Sequence, residues 1–330
     1  GADLYRKEIS SEREYFTSNI NSFAKFIEVL GDVNSDAIND FAVTVDDNVI
    51  VYSGLNGQVL YALGKSISRN VPNSTFVDRS EFGDKIQRFS DINGDGVNDF
   101  LVTTPRSTSV SINAFSGSDG ASIYNRFIYH PNPSEVNELT YGDSIERIND
   151  IDTDGIDDIA ISAPTNANYL LDEFGTPAII TFVSGASGER IDTLYDPYAY
   201  RRNLIENPDL ENSYKADNPL FQQLFGKSIL SINDANLGNV LLLSGSDRST
   251  IDGVSYHLPV VLVYSLTEKK FIHSFNAPLN GLNFQSDDLP VDAIDITPKL
   301  YSVGDLDGDG SEEFTTSWDE REIAYFPLAY

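Results

Sequence analysis

Residues 82–105 read FGDKIQRFSDINGDGVNDFLVTTP: a short apolar run, a nonapeptide from Asp91 to Asp99, then a second apolar run. The flanks are rich in Phe, Val, Ile and Thr, residues that suit a pleated, half-buried strand. The nonapeptide has the form D-x-N-x-D-G-x-x-D, and its Gly96 permits a sharp bend. Strand, acidic loop, strand is therefore the unit to look for elsewhere.

The unit recurs. Residues 23–45 read FAKFIEVLGDVNSDAINDFAVTV and residues 141–164 read YGDSIERINDIDTDGIDDIAISAP. Residues 225–245 read FGKSILSINDANLGNVLLLSG and residues 299–318 read KLYSVGDLDGDGSEEFTTSW. The first acids fall at Asp32, Asp91, Asp150, Asp234 and Asp305, at intervals of 59, 59, 84 and 71 residues. A basic period near 59 with later insertions suits one four-stranded propeller blade per unit. In unit two, strand A is expected over 82–90, strand B over 99–104, strand C over 110–116 and strand D up to about 127. Gly117-Ser118-Asp119-Gly120 joins C to D. Ser53-Gly54-Leu55-Asn56-Gly57 and Ser184-Gly185-Ala186-Ser187-Gly188 stand at the same place in units one and three, and such Gly-rich runs between strands are hairpin signals.

The expected fold is thus all-β: a β-propeller of four-stranded blades, five-bladed, in one domain over residues 1–330. The blades fall near 23–63, 82–127, 141–195, 225–275 and 299–330. The fifth lacks a clear fourth strand, and residues 3–20 are expected to supply it and close the ring, which protects edges an open array would expose. The alternative is a piece of a longer propeller.

Four nonapeptides have the chemistry of a calcium loop, in which side chains at positions 1, 3, 5 and 9 and the carbonyl of position 7 give oxygen ligands. Loop one offers Asp32, Asn34, Asp36, the Ile38 carbonyl and Asp40. Loop two offers Asp91, Asn93, Asp95, the Val97 carbonyl and Asp99. Loop three offers Asp150, Asp152, Asp154, the Ile156 carbonyl and Asp158. Loop five offers Asp305, Asp307, Asp309, the Ser311 carbonyl and Glu313. Loop one carries Ala37 where Gly is expected, a strain of about 1 kcal/mol if φ is positive there. The fourth copy, Asp234-Ala235-Asn236-Leu237-Gly238, lacks the later carboxylates and is expected to bind no metal. An EF-hand is disfavoured, because its loop has twelve residues and helical flanks, whereas Phe100-Leu101-Val102 and Ile159-Ala160-Ile161 are strand-like. The four intact loops hold 14 carboxylates, and about four calcium ions would cancel eight of the 29 net negative charges.

These units resemble FG-GAP repeats, the blades of the integrin α-subunit propeller. Phe82-Gly83 and Phe225-Gly226 match the "FG" element and Tyr141-Gly142 comes close to it. Thr104-Pro105 and Ala163-Pro164 fall where the "GAP" element stands, without its Gly. The family has seven blades as a rule, against five units here. The resemblance implies an extracellular, calcium-dependent scaffold, and it does not fix an activity, since adhesion proteins, lectins and polysaccharide-degrading enzymes share it.

The A–B loops and the short C–D turns share one end of a blade, so long insertions gather at the other end. These are the stretches near 64–81, 128–140, 196–224 and 276–298, with B–C loops near 165–176 and 247–256. Function on propellers commonly sits on such loops. The candidate ligand-binding residues there are Tyr198, Tyr200 and Arg201, with the single tryptophan, Trp318, at the end of strand B of unit five. Aromatic faces beside carboxylates suit sugar rings. The competing roles are loop packing for the tyrosines, inter-blade core for Trp318, and pairing with the abundant acids for Arg201 and Arg202. His130, His257 and His273 belong to different units and are read as structural.

The sequence thus describes a calcium-binding extracellular adhesion or ligand-binding module, secreted or on a cell surface (periplasmic included), whose partner is a glycan or a cell-surface protein. It also fits part of a larger surface protein. The alternatives are a polysaccharide lyase or glycoside hydrolase and a calcium-stabilised spacer. No nucleophile elbow or phosphate-binding loop is present, and no pair of carboxylates is marked as catalytic. A net charge of −29 repels nucleic acid and anionic lipid. The lack of cysteine excludes disulfides and thiolate metal sites. No apolar run reaches about 18 residues, so no membrane insertion is expected. The start at Gly1-Ala2 reads as processed or recombinant, with any leader already removed.

Overall fold

The apolar runs that flank each acidic loop form antiparallel strand pairs, and each pair is extended by further strands to a sheet. A computed structural model describes residues 22–64, 75–76, 82–106, 108–131, 141–142, 144–164, 178–195, 225–251, 254–276, 298–318 and 322–326. Within these, the side chains of 76, 246–251, 254–259, 276, 318 and 322–326 are not described.

The first sheet orders β1 (Phe23–Gly31), β2 (Asp40–Val45), β3 (Asn48–Tyr52), β4 (Val59–Gly64) and β5 (Thr75–Phe76). The second orders β6 (Lys85–Arg88), β7 (Phe100–Pro105), β8 (Ser109–Phe115) and β9 (Ser122–Tyr129). The third orders β10 (Ile145–Ile148), β11 (Asp158–Ala163), β12 (Ile179–Val183) and β13 (Arg190–Tyr195). The fourth orders β14 (Ile229–Asp234), β15 (Gly238–Ile251), β16 (Val254–Ser265) and β17 (Lys270–Asn276). The fifth has β18 (Lys299–Gly304), β19 (Glu313–Trp318) and β20 (Glu322–Phe326). Strands B and C are buried along both faces, as in β8, β11 and β12, whereas the D strands β9 and β13 are largely open. A strand covered on both faces reads as a continuous apolar run rather than an alternation. Phe100, Ile159 and Val263 lie in this core as expected.

Contacts divide the chain into two compact units. One comprises Gly1–Tyr129, Asp152–Asp158 and Ser184–Arg190, and the other His130–Ile151, Ile159–Val183 and Ile191–Tyr330. In the first, Leu30, Val51 and Leu63 of blade one pack with Phe82, Phe100 and Phe115 of blade two. Phe115 meets Phe82 edge-on and stacks on Phe100, each at 5.9 Å. The two A strands are tied directly: Arg88 N donates to Glu28 Oε1 at 3.0 Å, and Lys25 pairs with Asp84.

In the second unit the same kind of tie joins blade three to four and blade four to five. Ile229 N donates to Ser144 Oγ at 3.1 Å, Ser231 N to Glu146 Oε1 at 3.3 Å, and Leu300 N to Ser228 Oγ at 3.1 Å. Phe182, Phe225, Leu241 and Tyr264 form one core cluster, and Ile232, Leu242, Val263, Leu300 and Phe314 form another. Antiparallel sheets of this plan, joined through their A strands within each unit, are the blades of a β-propeller. The described residues contain no helix.

Three features differ from the sequence reading. A fifth strand, β5, adds in parallel to the outer edge of blade one. Only two residues form it, too few to leave a pattern. Residues 247–256, read as a loop, instead continue β15 and β16 as one hairpin that stays in register from Val240↔Ser265 to Ile251↔Val254. Its polar composition suggested a loop, yet the ladder satisfies its backbone donors and acceptors without an apolar face. Strand A of unit two is shorter than 82–90, at Lys85–Arg88. The closing strand expected from residues 3–20 lies outside the described residues.

Candidate metal centre

Each acidic loop is built as a chain of side chain-to-backbone turns. In loop two, Asp91 Oδ1 accepts from the N–H groups of Gly94 and Asp95, and Asp91 Oδ2 from that of Gly96. Asn93 Oδ1 accepts from Asp95 N at 2.9 Å, and Asp95 Oδ1 from Val97 N at 2.9 Å. The position 3 and position 5 steps recur in loop one at Asp36 N and Ile38 N, in loop three at Asp154 N and Ile156 N, and in loop five at Asp309 N and Ser311 N. Asp and Asn at alternate positions each capture the amide two residues on, which winds the loop tightly. The price is positive φ at positions 4 and 6: Ser35 and Ala37, Gly94 and Gly96, Thr153 and Gly155, Gly308 and Gly310. Ala37, at φ 69°, takes the strained conformation that the sequence flagged.

Position 9 plays a different part. Asp40, Asp99 and Asp158 are fully buried, and their oxygens anchor the loop to backbone. Asp99 Oδ2 accepts from Ile92 N at 2.7 Å and Asn93 N at 3.2 Å, while its Oδ1 accepts from Gly117 N at 3.0 Å. Asp40 does the same with Val33 N and Gly54 N, and Asp158 accepts from Gly185 N at 3.1 Å. In loop five, Glu313 Oε2 accepts from Leu306 N at 2.6 Å. Asp40, Asp99 and Asp158 thus each join their own loop to the C–D turn of the same blade. Burial pushes the carboxyls of Asp40 and Asp99 above their usual range, and these backbone donors pull them partly back. Asp95 is exposed and is held below the usual range, first by the Val97 N–H.

The C–D turn must come very close for this bond to form. A Cβ on Gly54, Gly117 or Gly185 would stand 1.9 Å from the carbonyl oxygen of Asn39, Asn98 or Asp157. The serine before each glycine also reaches the loop: Ser53 Oγ donates to Asp36 Oδ2 at 3.4 Å, Ser116 Oγ to Asp95 Oδ2 at 3.2 Å, and Ser184 Oγ to Asp154 Oδ2 at 3.3 Å. Ser118 Oγ adds a 2.8 Å bond to Asp95. The sequence marked these Ser-Gly pairs as turns only. The signal for their second role was that a Ser-Gly pair follows strand C in each of blades one, two and three, whatever the length of the B–C loop before it.

Among the described residues, three groups of carboxylates converge: Asp91, Asp95 and Asp99; Asp150, Asp152 and Asp158; and Asp305, Asp307, Asp309 and Glu313. In each group one oxygen per residue lies within 4.8 Å of the others. That is the span of two oxygens on either side of one calcium ion at about 2.4 Å each. The donors are all hard oxygens, which suits calcium or magnesium and not softer metals. No atom lies within 4 Å of a Cβ built on Gly94, Gly96, Gly155 or Gly308, so the loop tips are open. The residues fit a hard cation. Loop one does not bring Asp32, Asp36 and Asp40 into such a group, and in loop three Asp154 stands outside it.

Blade four has a tight turn instead. Asp234 Oδ1 accepts from Asn236 N and Leu237 N, both at 2.8 Å, and β15 begins at Gly238. Where the C–D turns of blades one, two and three have Gly54, Gly117 and Gly185, blade four has Leu266, buried in the core cluster.

Of the candidate ligand residues, Tyr198, Tyr200 and Arg201 lie outside the described residues. Trp318 ends β19 opposite Glu322, and its side chain is not described. His130 is buried edge-on to Tyr141, whose hydroxyl donates to Thr181 Oγ1. His273 lies against Phe275. The side chain of His257 is not described.

No protein-family model matches the chain. No helix among the described residues is long and apolar enough to cross a membrane. Among solved structures, rhamnogalacturonan lyase YesW aligns with a TM-score of 0.37 and 14% identity, over 86% of this chain and 49% of that one. The chain is 27% identical over 150 residues to integrin alpha-PS5 of Drosophila melanogaster, covering 43% of this chain and 15% of that protein. It is 25% identical over 195 residues to integrin alpha-PS3 of the same organism, covering 57% of this chain and 18% of that protein. The chain thus spans less than a fifth of the length of these curated relatives, and its similarity to integrin alpha subunits is weak and partial.

Proposed function

We propose that the chain is an extracellular FG-GAP-type propeller that binds calcium in its A–B loops and serves as an adhesion or ligand-binding module. The observation that carries this reading is the convergence of three or four carboxylates in each of loops two, three and five. Side chains at positions 1, 3, 5 and 9 would hold the ion, with loop one as a fourth, weaker site. The bound ion would neutralise carboxylates that otherwise repel one another. The similarity to integrin alpha subunits supports placement at a cell surface and a protein or glycan partner.

The ligand would meet the end of the blades opposite the loops. Blade four supports that choice, since its hairpin runs six residue pairs past Gly245↔Val260. At about 3.4 Å per residue this adds on the order of 20 Å of strand on that side. Tyr198, Tyr200, Arg201 and Trp318 remain the candidate contacts.

The test has two parts. Melting in calcium and in chelator should differ by on the order of 5–10 °C when calcium is about 100-fold above its Kd. Equal melting temperatures would remove the calcium reading. A glycan array probed in calcium and in chelator then reads the ligand. Selective binding supports the module, turnover of a bound polysaccharide favours the lyase or hydrolase, and a blank array turns the search to protein partners or a spacer.

A further inference from the structure

Two buried tyrosines sit where one blade meets the metal loop of the next. Tyr61, on β4 of blade one, donates its hydroxyl to the Gly117 carbonyl of blade two at 2.6 Å. Tyr124, on β9 of blade two, donates to the Gly185 carbonyl of blade three at 2.7 Å. Burial pushes both phenols far up, so each remains a protonated donor at any ordinary pH. The same glycines are the ones whose N–H groups hold Asp99 and Asp158. The serines beside them hold Asp95 and Asp154. One C–D turn is therefore fastened on one side to the preceding blade and on the other to two carboxylates of the loop.

The sequence gives independent support. Tyr61 and Tyr124 each stand four residues after the second glycine of their own C–D turn, Gly57 and Gly120. Four residues after Gly188, blade three has Asp192. The blade that follows has neither the turn glycine, which is Leu266 there, nor an acidic loop. From blade one to blade four, tyrosine, glycine and loop occur together twice and are lost together once, whereas blade four has His273 at the tyrosine position and the loop of blade five stands without that tie.

We infer that Tyr61 and Tyr124 are positioning residues for the cation sites of loops two and three, and that they link cation occupancy to the packing of the preceding blade. The inference rests on those loops holding a cation. A hydroxyl lost from the tyrosine leaves a buried carbonyl without its donor and frees the turn that aims the position 5 and position 9 carboxylates.

A double-mutant cycle tests it, with calcium alone as the probe and the full chain as the protein. Tyr61→Phe should weaken calcium at loop two by about fivefold, the equivalent of one ordinary hydrogen bond. It should therefore reduce the rise in melting temperature that calcium produces. In an Asp95→Asn background, which disables loop two at an exposed position, Tyr61→Phe should no longer change that rise. Tyr124→Phe with Asp154→Asn repeats the test at loop three. A Tyr→Phe variant that loses the same melting temperature in calcium and in chelator, in both backgrounds, would make the tyrosines structural only and overturn the inference. A wild-type protein whose melting is indifferent to calcium would overturn cation binding and the linkage with it.

Discussion

Blades two and four have the same four-stranded plan, yet their A–B connections do opposite things. In blade two, nine residues wind around three carboxylates, and a buried Asp99 ties them to Gly117. In blade four, a turn of three residues, Ala235 to Leu237, joins β14 to β15, and the C–D position is filled by Leu266. The difference teaches that the loop and the C–D turn are a single device. The glycine is needed only where a buried carboxylate draws the turn against the loop backbone. Once the loop is gone, the same space is filled by a side chain.

The largest expected effects come from reversing that choice. Gly185→Ala places a Cβ 1.9 Å from the Asp157 carbonyl oxygen and 2.3 Å from the Phe89 ring. Backbone must move to relieve the clash, and a loss of about 3 kcal/mol or more is expected. Leu266→Ala, at the equivalent position in blade four, should cost about 2–3 kcal/mol for the opposite reason, an emptied apolar site. Urea unfolding in chelator reads both. A neutral Gly185→Ala would break the comparison, since the close approach would then not be required.

Next in size is the buried acid itself. Both oxygens of Asp99 accept backbone N–H groups, so an asparagine there must point its own NH2 at a donor. Asp99→Asn should cost about 2 kcal/mol even without metal. Asp234 uses one oxygen for both its bonds, and among the described residues no donor reaches Oδ2. Asparagine fits that arrangement, and Asp234→Asn should change stability by less than about 0.5 kcal/mol. Similar losses at the two positions would mean that Asp99 is not the anchor described above.

Much of this organisation was legible in the chain, and the exceptions have physical causes. The blades were visible because strands B and C are buried on both faces, which leaves unbroken apolar runs such as Phe100-Leu101-Val102. The loops were visible because alternate Asp and Asn side chains must face one centre. The anchoring role of Asp99 was not visible, since a ligand and a buried acceptor have the same residue type, and only the position of Gly117 separates them. The tyrosine contacts span 56 and 61 residues, so no local pattern reports them. The hairpin at residues 247–256 was misread because a polar ribbon is held by backbone bonds, which leave no mark on composition.

The smallest effect concerns strain that the loops share whatever residue bears it. Position 6 takes positive φ in every intact loop, at 69° for Ala37 and 87° for Gly96. A Cβ on Gly96 would meet no atom within 4 Å, so Gly96→Ala measures conformational strain without a clash. It should cost about 1 kcal/mol. Ala37→Gly is the mirror image. It relieves that strain in loop one, though glycine also loosens the unfolded chain, and the net gain should be about 0.5 kcal/mol. Lys269 carries the same kind of strain in the blade-four turn, at φ 53°, with no acidic loop beside it. If Lys269→Gly and Ala37→Gly stabilise equally in chelator, the strain belongs to the backbone of each turn alone. A gain confined to Ala37→Gly, and larger once calcium is added, would mean that the strained alanine is what keeps Asp32, Asp36 and Asp40 from gathering as their counterparts in loop two do.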